Sequence, residues 1–171
     1  GPFISYADFC QRLKPKDVNS KMRDTLVKVG AFDIVNPELR DAMMAEERID
    51  AEMQFLGTVF DLSIVAQIRQ TYQRGITTSI SDLEDISGGV YTVIALVTGL
   101  TIRTAHASGH QFGTGKLMDD TLGIIDFVCF SPVWETISQE IAKGQVWAIR
   151  GIPMIFGVNQ QIKVIQATRV V

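Results

Sequence analysis

From Gly88 to Phe130 the chain reads GGVYTVIALVTGLTIRTAHASGHQFGTGKLMDDTLGIIDFVCF. Apolar residues alternate there with small or polar ones at a period of two, and the alternation breaks at Ala105 to Gly109 and again at Asp119 to Gly123. Such runs joined by short turns predict consecutive antiparallel strands over 90–104, 111–118 and 124–130. Gly99 falls inside the first and predicts a bulge or sharp bend. In the third, Ile125, Phe127 and Cys129 share one face, with Asp126 and Val128 on the other. A helix over Val133 to Lys143 follows, opened by Ser131-Pro132 and closed by Gly144. Strands over 146–154 and 161–171 complete the chain.

Five strands with one helix between the third and fourth is the element order of an OB-type barrel, a fold whose strand face and loops commonly receive oligonucleotides. The fold class expected is α+β, a helical N-terminal portion followed by a five-stranded OB-fold β-barrel. Binding rather than chemistry is the first function this order implies.

The residues ahead of the barrel read as helices. Ser5 is placed to cap the first, with Asp8 returning the bond and Ile4 stapling onto Phe9; Tyr6, Phe9, Cys10 and Leu13 fall on one face. Pro15 ends it at Lys14. Asn19 caps a second helix that carries Met22, Leu26 and Val29 inward, and Gly30 closes it in the left-handed conformation. Asn36-Pro37-Glu38 repeats the start signal of cap, proline and acid. An apolar stripe of Leu39, Met43, Ile49, Met53 and Leu56 then runs to Gly57, broken near Glu46-Glu47, so that a kink or two helices both fit. Ile64, Ile68 and Tyr72 form one more short helical face, ending at Gly75. The polar, aperiodic stretch Ile76 to Gly89 reads as the boundary. The expected organisation is a helical region over 1–62, a short helix and connector over 63–89, and the barrel over 90–171.

A chain of 171 residues that is 46% hydrophobic can bury a core. It contains no run of about 18 apolar residues, so no membrane is expected among its partners, and no basic-then-apolar leader opens it. Cys10 and Cys129 are far apart and outside any ligand-like spacing, which fits a reducing cytoplasm and a role as small apolar packers. The formal net charge is −3. Residues 1–89 hold 10 Lys plus Arg against 14 Asp plus Glu, whereas residues 90–171 hold 6 against 5. The barrel half is therefore nearly neutral and would hold a phosphate backbone only weakly.

No catalytic constellation is visible. Metal-assisted phosphoryl transfer needs carboxylates grouped around two ions, and Asp119-Asp120 sits in a strand-to-strand turn where backbone capping accounts for it. Glu46-Glu47 reads as a solvated helix face. GHQFGTG lacks the Lys-Ser/Thr ending of a phosphate-binding loop and lies between strands. His106 and His110 are four apart with no third ligand, so neither a metal nor any cofactor is expected. The nucleic-acid surface expected on the barrel comprises Arg103, His106, His110, Phe112 and Lys116 from the first three strands and their loops. Phe156, Asn159 and Lys163 border the turn between strands four and five. Aromatic rings there would stack on bases; core packing accounts for Phe112 equally well, and Trp147 alternates with Ile149 toward the inside.

The helical residues GPF (Gly1 to Phe3), DFC (Asp8 to Cys10), and Leu26 followed by GAFD (Gly30 to Asp33) resemble the end of the helix-hairpin-helix region in the alpha subunit of bacterial replicative DNA polymerase III, where these features occur in the same order. The stretches VIALVT (Val93 to Thr98), LMDDTLG (Leu117 to Gly123), IDFVCF (Ile125 to Phe130) and GQVWAIRG (Gly144 to Gly151) are similar to the OB domain that follows in that subunit. The resemblance covers most of the chain and implies a piece of a larger protein, beginning after the first hairpin of the pair. It implies a non-catalytic part of a nucleotidyltransferase, guiding single-stranded template to a polymerase core that lies outside this chain. The partners implied are single-stranded DNA, duplex DNA, the rest of the polymerase and other replisome proteins, in the cytoplasm of a bacterium or of a phage's host. Lys14, Lys16, Lys21 and Arg23 would then touch duplex backbone. Three features depart from the family. The first barrel loop, TAHASGH over Thr104 to His110, lacks its lysines. Ile34 to Met53 has no glutamine, so no sliding-clamp motif is found, and Leu56-Gly57 is not followed by histidine-proline. Two other readings remain: a module docking another replisome subunit without touching DNA, and a fragment of a nuclease or tRNA-binding OB enzyme.

Overall fold

A computed structural model describes residues 1–57, 59, 61–72, 77–83 and 88–170. The chain divides into two compact units, Gly1–Asp61 and Leu62–Val171.

The first unit carries α1 (Tyr6–Arg12), α2 (Ser20–Lys28), α3 (Glu38–Asp41) and α4 (Ala45–Leu56). Ser5 caps α1, its hydroxyl accepting from the Asp8 amide at 3.1 Å. Asp8 returns a bond to the amide of Ile4 (3.2 Å) rather than to that of Ser5. Nor does Ile4 staple onto Phe9: it stays 77% exposed, and Phe3 takes its place, edge-on to Phe9 at 5.0 Å. The larger ring also receives the Arg12 guanidinium, 4.5 Å from its centroid, a cation–π contact that an isoleucine cannot make.

Asn19 caps α2 by accepting from the Met22 amide at 2.9 Å. The helix ends in a Schellman motif, with Gly30 at φ +78°, its amide donating to Val27 and that of Ala31 to Leu26. The reversal delivers Phe32 edge-on to Tyr6 and Phe9 and Asp33 to Arg40 at 2.8 Å. Arg40 also pairs with the buried Glu52 of α4. Met22, expected to face inward, is 49% exposed. Asn36 does not cap the next helix: its side-chain oxygen accepts from the Tyr6 amide at 2.8 Å, tying the start of α3 to α1. The interrupted apolar stripe resolves into two helices, α3 and α4, parted at Ala42 to Met44.

The second unit contains α5 (Ser63–Thr71), β1 (Tyr91–Thr104), β2 (Gln111–Met118), β3 (Ile124–Cys129), α6 (Val133–Ile137), β4 (Val146–Phe156) and β5 (Asn159–Arg169). The strands close into a barrel in the order β1-β2-β3-β5-β4. All neighbours are antiparallel except β3 and β5. β1 is long enough to serve two partners: Tyr91 to Leu96 pair with β4 and Leu96 to Thr104 with β2. A bulge between Val97 and Gly99 marks where it turns from one toward the other. This strand order, with α6 between β3 and β4, is that of the OB fold.

Alternation sorts the side chains. Val93, Ala95, Val97, Ile125, Phe127, Cys129, Trp147 and Ile149 fill the barrel, and burial pushes the Cys129 thiol pKa up to about 12. α6 adds Trp134 and Ile137 to this core. A side chain on Gly113 would run into the Trp134 ring, and one on Gly115 into the Gly99 carbonyl and the Phe127 ring. These glycines are required by close packing, not by a phosphate.

The helix expected over 133–143 stops at Ile137, because the chain turns to bury Ile141. β4 and β5 extend further toward each other than expected, to a turn at Gly157-Val158. Gly75, where the helix containing Ile64 was expected to end, lies outside the described residues. So do Ile76 and residues 84–87 of the stretch read as a boundary, and Val171 at the end of the last strand. Within that stretch, Ile80 and Leu83 are almost wholly buried in the barrel core. The Ile80 amide donates to Asp119 at 2.6 Å, and the Leu83 carbonyl accepts from the Gln160 side chain. No helix among the described residues is long and apolar enough to cross a membrane.

Candidate nucleic-acid interface

The outer wall of the barrel is organised in rows by strand register. In the first row Arg103 lies opposite Phe112, and Phe112 meets Phe130 with ring centroids 5.2 Å apart and planes tilted by 36°. The second row runs Thr101, Thr114, Val128, Lys163, Ile152 across all five strands. The third runs Gly99, Lys116, Asp126, Gln161, Met154. Rows two residues apart are separated by about 6.7 Å, so the aromatic and third rows lie about 13 Å apart.

A cavity of about 650 Å³ opens over this wall. Its lining includes Phe112, Phe130, Met154 and Phe156, with Arg103 and Lys116 as the cations and Asp126 as the acid. Phe156 is 72% exposed near the turn joining β4 to β5. The rings of Phe112 and Phe130 offer an apolar surface on the outside of a barrel whose interior is already filled. That arrangement suits a flat, unpaired base, which can stack where a duplex, with its bases turned inward, cannot.

The cations differ in how free they are. Lys116 is held by Asp126 at 2.8 Å across the β2–β3 pair. Arg103 is exposed near the end of β1 and makes no ion pair among the described residues. Lys163 is exposed on the second row.

The predicted residues thus separate. Arg103, Phe112, Lys116 and Phe156 line one cavity. Asn159 lines a smaller neighbouring one of about 350 Å³, again with Lys116 and Asp126. His106 and His110 are exposed in the β1–β2 loop, apart from both linings. Phe112 sits on the wall and not in the core. Asp119 caps the turn, accepting from the amides of Thr121 and Gly123 as well as Ile80, while Asp120 pairs with Arg69 of α5 at 2.9 Å. Phe130, Met154, Thr114 and Gln161 were not singled out beforehand. Phe130 was within reach, since it continues the parity of Asp126 and Val128; Gln161 and Met154 depend on how β3, β5 and β4 pair, which no local pattern reveals.

In the helical unit Lys14, Lys16 and Lys21 are exposed around the turn between α1 and α2. Arg23 differs from them. It is half-buried and donates to the carbonyls of Val18 and Leu13 at 3.1 and 3.0 Å, which braces the turn and occupies much of its guanidinium.

Comparison with known proteins adds two findings. A family model described as the helix-hairpin-helix motif matches residues 1–42. Among solved structures, the chain is similar to a replication protein A domain from Methanococcus maripaludis, at 20% identity and a TM-score of 0.46 over 56% of this chain and 96% of that one. It is similar to an OB domain from Methanosarcina mazei at 19% identity and a TM-score of 0.45, over 56% of this chain and 84% of the other. A third likeness is to the mitochondrial single-stranded DNA binding protein Rim1 of S. cerevisiae, at 6% identity and a TM-score of 0.42, over 50% of this chain and 97% of that chain. The OB assignment rests on the strand order itself. No curated protein matches the chain.

Proposed function

We propose that this chain is a non-catalytic module of a DNA-replication protein that holds single-stranded DNA across the outer wall of its barrel. The observation that carries the reading is the 650 Å³ cavity on the outer wall, with Phe112, Phe130 and Phe156 among its lining beside Arg103 and Lys116. Rings placed there stabilise stacked bases by about 1 to 3 kcal/mol each. The sparse cations make the phosphate contribution small, so stacking supplies most of the affinity.

The finer reading is that the strand is template on its way to a polymerase core. It is supported by the resemblance to the C-terminal region of a replicative DNA polymerase III alpha subunit, and by the order of a helix-hairpin-helix match followed by an OB barrel. In that setting Lys14, Lys16 and Lys21 contact duplex backbone while the barrel takes the unpaired strand. The test is fluorescence anisotropy with a labelled oligothymidylate of about 15 nucleotides, within the usual site size of OB folds, beside a duplex of the same length. Binding of the single strand at low salt, tighter than binding of the duplex by the same full chain, is the expected result. No binding of either at low salt would overturn the reading and favour a protein-docking role.

A further inference from the structure

Resting on the single-strand reading, we infer that the cleft selects guanine at one position, through the Lys116–Asp126 pair. A carboxylate on the floor of a groove for a polyanion repels the ligand's phosphates, and Asp126 also cancels the charge of the cation beside it. Neither effect helps the backbone to bind. The pair does, however, present an ammonium and a carboxylate side by side, 2.8 Å apart, on a wall open to solvent.

The unpaired edge of guanine carries a carbonyl oxygen followed by two N–H donors. That sequence complements an ammonium followed by a carboxylate: Lys116 donates to O6 while Asp126 accepts from N1–H and from the N2 amine. Charge-assisted bonds of this kind, with two donors meeting one carboxylate, are the strong and geometrically selective ones. Thymine presents a single N–H between two carbonyls, and cytosine and adenine a single amine on this edge, so each satisfies the carboxylate once.

The surroundings allow a base to reach the pair. Gly99 is the partner of Lys116 on β1, and it leaves that side of the lysine without a side chain. Gln161, the partner of Asp126 on β5, adds an amide that can donate or accept on the other side. The third row lies about 13 Å from the Phe112–Phe130 row, several times the rise of about 3.4 Å between stacked bases. The base that is read is therefore not the one stacked on those rings.

The experiment compares a labelled oligothymidylate with the same strand carrying one guanine, moved stepwise along it, and with inosine, which lacks the N2 amine, at the best position. The expected preference for guanine over thymine is about tenfold at that position, in the range for a bidentate base contact, with inosine, which like thymine offers the carboxylate a single N–H, close to thymine. Asp126→Asn should bring the preference to within about twofold while leaving affinity for oligothymidylate equal or slightly higher, because a repelling charge is removed. Lys116→Ala, at the more exposed position of the pair, should also reduce the preference. Oligothymidylate bound equally well with and without guanine at every position would overturn this inference alone, as would a preference that survives Asp126→Asn. Failure of every oligomer to bind would overturn the single-strand reading and this inference together.

Discussion

Phe112 of β2 and Phe130, just beyond β3, meet on the outside of the barrel, 5.2 Å apart between ring centroids. Buried aromatics stabilise a fold; a pair left half-exposed beside an open cavity does little for the core and is available to a ligand. Phe112→Ala and Phe130→Ala should each weaken single-strand binding about tenfold, corresponding to roughly 1.4 kcal/mol. Their melting temperatures should stay near that of the parent, and thermal denaturation measured beside the binding curves checks both halves of the expectation.

Salt dependence should be shallow. Each phosphate neutralised on a single strand contributes about −0.7 to the slope of log K against log salt. Arg103→Ala should remove about one such increment. Lys116→Ala should remove less, because Asp126 already compensates its charge. Titrations at several salt concentrations with the two variants distinguish these outcomes.

Gly115 should tolerate no side chain. A methyl group there meets the Gly99 carbonyl and the Phe127 ring, and overpacking of this kind costs about 1 to 3 kcal/mol. Gly115→Ala is therefore expected to lower stability to urea, whereas Gly109→Ser, where nothing lies within 4 Å but φ is +70°, should lower it less. Chemical denaturation of the two variants makes the comparison.

Asp119 should matter for folding rather than for binding. It joins the β2–β3 turn to the Ile80 amide, and removing a buried acceptor that serves several donors costs about 1 to 3 kcal/mol. Asp119→Ala is expected to unfold at lower urea while the protein that remains folded keeps its affinity for single strands, since Asp119 lies outside the cavity lining.

Much of this was legible in the sequence wherever one local rule governs. The period of two defines β2 at its observed ends, Gly99 marks the bulge in β1, and parity puts Ile125, Phe127 and Cys129 on one face, which the barrel turns to its core. Gly30 behaves as a helix-ending glycine should. What escaped depends on partners distant in the chain. Ile80 and Leu83 stand isolated among polar residues and reveal themselves as core only once the barrel is present to receive them. Phe3 displaces Ile4 because Phe9 and Arg12 together favour a ring. In the site, the candidate residues of β1 and β2 follow from the hairpin alone, whereas Gln161 and Met154 join it through the parallel β3–β5 pairing and its continuation into β4.

The single-strand reading puts the bound strand across the outer wall of the barrel, over the cavity lined from all five strands. The most direct test is an NMR titration of the 15N-labelled chain with oligothymidylate, following the backbone amides. Shifts concentrated at Thr101, Phe112, Thr114, Phe130, Met154 and Gln161, with core positions such as Val93 and Ile149 unmoved, are expected from that reading. Shifts confined to residues 1–61, or absent from the wall at saturating strand, would contradict it.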